Sequence, residues 1–187
     1  MKNQPGFKYG TVKIPITLMK RHDSMRGWFA FELFKQMQKN PNIILLTGDL
    51  GYGMFDAIRD HSPHQFINCG ASEQAMMDIA CGLAMSGKIP FVYSITTFLL
   101  YRPFETIRTY INHEKLNVKL IGSGRDKDYA HDGISHWSDD AFRLFDPAES
   151  SMLDNIRAFW PDTKEEIPDL VTKLVETKDP CFLSLRR

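Results

Sequence analysis

Short, largely apolar runs constrain this chain of 187 residues more than any other feature: Ile43-Ile44-Leu45-Leu46, which is continuous, and Ile89–Ile95, Val118-Lys119-Leu120-Ile121 and Cys181–Leu185. A strand with one face in water alternates apolar with polar residues. A continuous run is the mark of a strand covered on both faces, as in a parallel sheet. Helical patterns lie between the runs. Ser24 caps a predicted helix whose apolar residues include Phe29, Leu33, Phe34 and Met37, and Asn40-Pro41 stops it. A second helix begins near Glu73, with Met76, Ile79, Ala80, Leu83 and Ala84 on one face, and Gly87 closes it. Residues 103–113 and 138–145 are expected to be helical. Thr163 heads a last helix, with Glu166 three residues later completing a capping box. Phe66–Asn68 and 156–159 are expected as further strands. The alternation predicts an α/β fold, a parallel sheet flanked by helices. It occupies residues 25–187 and follows an irregular arm over 1–24 that holds Pro5, Gly6, Gly10 and Pro15. Ligands of such sheets bind beyond the carboxyl ends of the strands, so the loops there carry the chemistry.

Charge narrows the partners. Lys plus Arg number 23 and Asp plus Glu number 23, so no basic excess points to nucleic acid or to an anionic membrane surface. No apolar run approaches the roughly 20 residues that span a bilayer, and the first residues lack the apolar stretch of a signal peptide. The spacing of Cys69, Cys81 and Cys181 fits no metal motif, and they read as small buried residues in a reducing compartment. The expected location is the cytoplasm.

Three segments stand out in the strand-end loops. In Asn68-Cys69-Gly70-Ala71-Ser72-Glu73-Gln74-Ala75-Met76, a glutamate enters the first turn of a helix after a strand and a glycine turn. Alone, it is a carboxylate favoured by the helix dipole. Residues 93–104, Tyr93 to Phe104, read as a core strand entering a helix with several aromatics. His131-Asp132-Gly133-Ile134-Ser135-His136 on its own is a solvated turn. Asp49, in Thr47-Gly48-Asp49-Leu50, is by itself a loop aspartate capping backbone amides.

Taken in register, these segments resemble the pyrimidine-binding domain of transketolases and deoxyxylulose-phosphate synthases. There the pattern runs G-x-x-E-Q-x-M, then A-x-G-x-A-x-x-G-x-x-P, then D-G-x-(S/T)-H. Each position is present here, from Gly70 to Pro90 and from Asp132 to His136, and the resemblance covers about residues 26–187. It implies thiamine diphosphate as cofactor, with Glu73 hydrogen-bonding a ring nitrogen of the aminopyrimidine and favouring the tautomer that activates the thiazolium carbon. It places Ile95, Phe98 and Tyr101 against the pyrimidine ring, Ile95 standing where an aromatic is usual. It brings Asp49 toward the cofactor. It sets Arg102 against an anionic substrate or a buried carboxylate. His136 becomes a candidate acid or base, and Asp132 a ligand of a substrate hydroxyl or an orienter of His136. A further histidine carried by some transketolases is missing, Gly124 standing there with Ser123 beside it, so the sugar is expected to differ from the usual one.

A second domain of this enzyme class binds Mg²⁺ and the diphosphate through a G-D-G motif followed by asparagine. Gly48-Asp49-Leu50-Gly51 lacks that continuation. The expectation is a subunit of a split transketolase-like enzyme moving a two-carbon ketol unit between sugars or sugar phosphates. It depends on a diphosphate-binding partner subunit that holds Mg²⁺, and on a second copy of itself in a heterotetramer. Met1 and the continuous arm favour a natural subunit over a truncated chain. The alternatives are a thiamine-diphosphate decarboxylase or synthase of another subclass, which the D-G-x-S-H segment opposes, and a non-catalytic relic, which Glu73 with His136 opposes.

Overall fold

The structure is a computed structural model that describes residues 20–146 and 151–187. Residues 1–19 of the predicted arm lie outside the described residues. The chain folds as α1 (Met25–Met37), β1 (Ile43–Thr47), α2 (Asp56–His61), β2 (Phe66–Asn68), α3 (Glu73–Met85), β3 (Ile89–Ile95), α4 (Thr96–Tyr101), α5 (Phe104–Thr106), β4 (Lys119–Ser123), β5 (Arg157–Phe159), α6 (Ile167–Glu176) and β6 (Cys181–Leu185). The strands form one six-stranded sheet in the order β2-β1-β3-β4-β6-β5, and every pair is parallel.

Period two divides each strand between two cores. Ile43, Leu45, Phe91, Tyr93, Ile121 and Leu183 face α1 and α6. Ile44, Leu46, Val92, Leu120 and Phe182 face α3, α4 and the segment after α5. The central strands are therefore buried on both faces, which is why their runs are largely apolar. Ser24 caps α1 by accepting from the Gly27 amide at 3.1 Å. Thr163 and Glu166 form the expected capping box, through a 3₁₀ turn that leads into α6.

The helices depart from expectation in three places. Ile79 of α3 is 42% exposed, while Met77 and Cys81 are buried with Met76 and Ala80, so the apolar face is rotated by about one residue. β3 runs directly into α4, as expected of residues 93–104, and Thr96 and Thr97 give their hydroxyls to carbonyls outside the strand. Residues 103–113 are not one α-helix: α5 passes into a π-helix at Ile107–His113. The helix expected over 138–145 shrinks to a 3₁₀ turn at Ala141–Leu144. All three cysteines are free, Cys81 and Cys181 buried and Cys69 half-buried. Among the described residues, no helix is long and apolar enough to cross a membrane.

The strand order places a switch point between β1 and β3. The chain leaves β1 toward β2 on one side and β3 toward β4 on the other. Adjacent loops diverge there and open a crevice at the carboxyl ends.

Candidate functional site at the carboxyl ends of the strands

Glu73 is the first residue of α3 and is only 3% exposed. The chain reaches it through Gly70, whose φ of 70° turns the backbone from β2 toward the helix. Its carboxylate sits under the strand ends with both oxygens engaged. Ser94 of β3 donates to Oε1 at 3.2 Å. Arg102, just past α4, donates through Nη1 to Oε2 at 2.6 Å. Gly48 leaves a narrow approach to the same group: a Cβ there would lie 3.4 Å from Glu73 Oε1 and 3.4 Å from the Gly70 carbonyl.

Arg102 connects the carboxylate to an aromatic row. Its guanidinium lies 3.7 Å from the centre of the Phe98 ring. The Phe98 ring meets the His136 imidazole edge to face, with centroids 4.8 Å apart. The 131–136 loop is held by its own polar bonds. Thr97 Oγ1 donates to the Ser135 carbonyl at 2.8 Å, and Ser135 Oγ lies 2.9 Å from His136 Nδ1. Nε2 of His136 has no protein partner among the described residues. Glu73, Arg102, Phe98 and His136 thus form one continuous array, although they come from three segments spread over more than sixty residues of chain.

The remaining expected residues divide. Ile95 ends β3 half-buried and lines a cavity of about 500 Å³ beside the array. Tyr101 is 40% exposed, and its hydroxyl donates to Asp140 at 2.5 Å. Burial first, and then Asp140, make this hydroxyl harder to ionise. Asp132 pairs with His131 at 3.2 Å, whereas Ser135 is the residue that fixes His136. Arg102 meets the buried carboxylate rather than presenting a free cation. Asp49 has a φ of 60° and braces its own loop, accepting from Tyr52 and, at 3.1 Å, from Asn68. Those bonds hold its carboxyl below the ordinary range, Tyr52 contributing most. It is a loop brace turned to neighbouring side chains.

Sequence reasoning passed over Ser94, Ser135, Thr97, Arg26 and Tyr129. Ser94 carried a legible signal, a polar residue in an otherwise apolar strand. Arg26 and Tyr129 carried none, because their meeting spans 103 residues of chain.

The family described as "Transketolase, pyrimidine binding domain" matches residues 24–187. The chain belongs to this family. The "Putative transketolase C-terminal section" of Methanocaldococcus jannaschii is 28% identical over 167 residues, which cover 89% of this chain and 51% of that protein. An apulose-4-phosphate transketolase subunit of Phocaeicola vulgatus is 27% identical over 163 residues, covering 87% and 51%. A solved structure described as "Split gene transketolase, inactive beta4 tetramer" superimposes with a TM-score of 0.73 at 30% identity, covering 88% of this chain and 51% of that one. The chain spans about half the length of these relatives. The fold and the pyrimidine-binding domain are those of transketolase-like enzymes.

Proposed function

We propose that this chain supplies the pyrimidine-binding half of a thiamine-diphosphate site in a split transketolase-like enzyme, which transfers a two-carbon ketol unit between sugars. The observation that carries the reading is Glu73, a buried carboxylate at a helix start, held by Ser94 and lying in one array with Phe98 and His136. A carboxylate this deep, in a crevice kept open by Gly48 and edged by an aromatic ring, suits a flat heteroaromatic ring that presents a nitrogen.

Glu73 would hold the ring nitrogen and share a proton with it through Oε2, which also accepts from Arg102, while Ser94 fixes Oε1. Phe98, Ile95 and Tyr101 would flank the ring and exclude water. Thiamine diphosphate, when bound, supplies the carbon nucleophile that ketol transfer needs. His136 would exchange a proton with a substrate oxygen through Nε2, its orientation set by Ser135. Asp132, at the mouth of the site, would accept from a substrate hydroxyl. The Mg²⁺ and diphosphate ligands are assigned to a partner subunit, two copies of each chain forming a heterotetramer in the cytoplasm. One relative named as a "C-terminal section" and another named as a transketolase subunit support a division of the enzyme into chains.

Calorimetry with thiamine diphosphate and Mg²⁺ tests the division. This chain alone is expected to bind weakly, and a mixture with its diphosphate-binding partner tightly. Tight, Mg²⁺-dependent binding by this chain alone would overturn the split-site reading.

A further inference from the structure

The two donors on the Glu73 carboxylate are unlike. Ser94 stands on β3, wholly buried, and serves Oε1. Arg102 serves Oε2 at 2.6 Å from a side chain that is half in solvent. It reaches the carboxylate along α4. Phe98 and Arg102 are four residues apart, and Arg102 keeps helical dihedrals (φ −65°, ψ −49°) as the cap of α4, so the two side chains share one helix face. The guanidinium therefore rests on the Phe98 ring, 3.7 Å from its centre, while Nη1 meets Oε2.

A guanidinium is planar, delocalised and edged with N–H donors. At this corner of the crevice it touches an aromatic ring and hydrogen-bonds a buried carboxylate. An aminopyrimidine held by Glu73 and flanked by Phe98 would make the same two contacts, on the same oxygen. The space between Oε2 and this face of Phe98 holds one such planar group. Of the two occupants, the arginine is the one that can leave. Oε2 is out of water and has to keep a donor, because a buried carboxylate oxygen without one is costly. The guanidinium has water at hand, and Glu73 is its only carboxylate partner among the described residues. Exchange of Nη1 for a ring N–H leaves the carboxylate satisfied and the cation hydrated. Ser94 keeps Oε1 throughout.

We propose, on the thiamine-diphosphate reading above, that Arg102 sets the affinity of this site. It is an intramolecular rival of the aminopyrimidine, and the ring is seated only when Arg102 gives up Oε2 and Phe98. That displacement subtracts from the cofactor's affinity.

The test is a calorimetric titration of the complex with the diphosphate-binding partner, using thiamine diphosphate with Mg²⁺. Wild type, Arg102→Met, Glu73→Gln and the double variant are compared. Arg102→Met is expected to bind about tenfold more tightly than wild type, the worth of one charge-assisted hydrogen bond that no longer has to be broken. In the Glu73→Gln background, where Arg102 has no carboxylate to hold, the same change should alter affinity by less than about twofold. Equal or weaker binding by Arg102→Met would overturn the proposal, as would an equal gain in the Glu73→Gln background. A second readout needs no variant. The nitrogen-15 signals of the Arg102 guanidinium, assigned through their contacts with Phe98, should be resolved in this chain alone and lost from that contact when the complex is saturated with thiamine diphosphate. Signals and contacts unchanged by saturation would also overturn it. Thiazolium proton exchange at the wild-type rate in Glu73→Gln would sink the pyrimidine reading itself, and the claim for Arg102 with it. Slowed exchange in that variant, with no gain in Arg102→Met, would remove Arg102 alone.

Discussion

Replacing Arg102 by methionine leaves the buried Glu73 carboxylate with Ser94 as its one remaining partner among the described residues. Removing one member of a fully buried ion pair costs about 3–5 kcal/mol. Arg102 is not fully buried: 48% of its side chain faces solvent, against 3% for Glu73. Screening by water on the arginine side reduces the figure to about 2 kcal/mol. Loss of the guanidinium from the face of Phe98, 3.7 Å away, adds ~0.5–1 kcal/mol. The methionine stem still covers part of that ring. The sum is about 2–3 kcal/mol, or a fall in Tm of roughly 5–10 °C for a chain of this size. Urea denaturation of wild type, Arg102→Met, Glu73→Gln and the double variant closes a cycle that isolates the pair. The coupling is expected to reach at least about 1.5 kcal/mol. Coupling below about 0.5 kcal/mol would refute the ion pair as a feature of the protein in solution.

Lys119 tests the opposite end of the sheet. Burial pulls its ammonium down from 10.5 to about 8, with Cys181 and Asp179 opposing and Arg157 assisting. Below pH 8 both states are charged and the folded state bears the whole penalty, about 3 kcal/mol at 1.36 kcal/mol per unit. Between 8 and 10.5 the unfolded chain binds more protons, so this group's contribution should rise with pH in wild type and be lost in Lys119→Met, as urea titrations across that window would show. His136→Ala should leave thiazolium proton exchange intact in the complex while turnover falls by about 10²–10⁴, a split that separates a substrate-facing group from a cofactor-facing one. Normal turnover in that variant would return His136 to a solvated turn.

The sheet was legible because a strand buried on both faces leaves a largely apolar run, and each such run became a strand within two residues at either end. The place of Glu73 at the start of α3 was legible because a glycine turn before an acidic helix start is a local pattern. Helix faces were less so. Ile79 looked like a core residue by spacing, yet it lies just beyond the buried stripe of a helix whose apolar residues extend around much of its girth. The π-helix at Ile107–His113 was hidden, since nothing local distinguishes its register from that of an α-helix. Side-chain partners across the crevice were hidden as well. The sequence permits Asp132 to serve His136, but Ser135 is adjacent and reaches Nδ1 first. Arg102 could face either a substrate or a carboxylate, and only the packing of α4 against the start of α3 brings it to Glu73.

Thiazolium proton exchange in the reconstituted complex measures the assigned role of Glu73 most directly. Glu73→Gln is nearly isosteric and can keep a hydrogen bond to Ser94, but it cannot share a proton with the ring nitrogen. The variant complex is expected to assemble normally and to exchange that proton at least about 100-fold more slowly than wild type. Exchange within a few-fold of wild type in Glu73→Gln would contradict the assigned role.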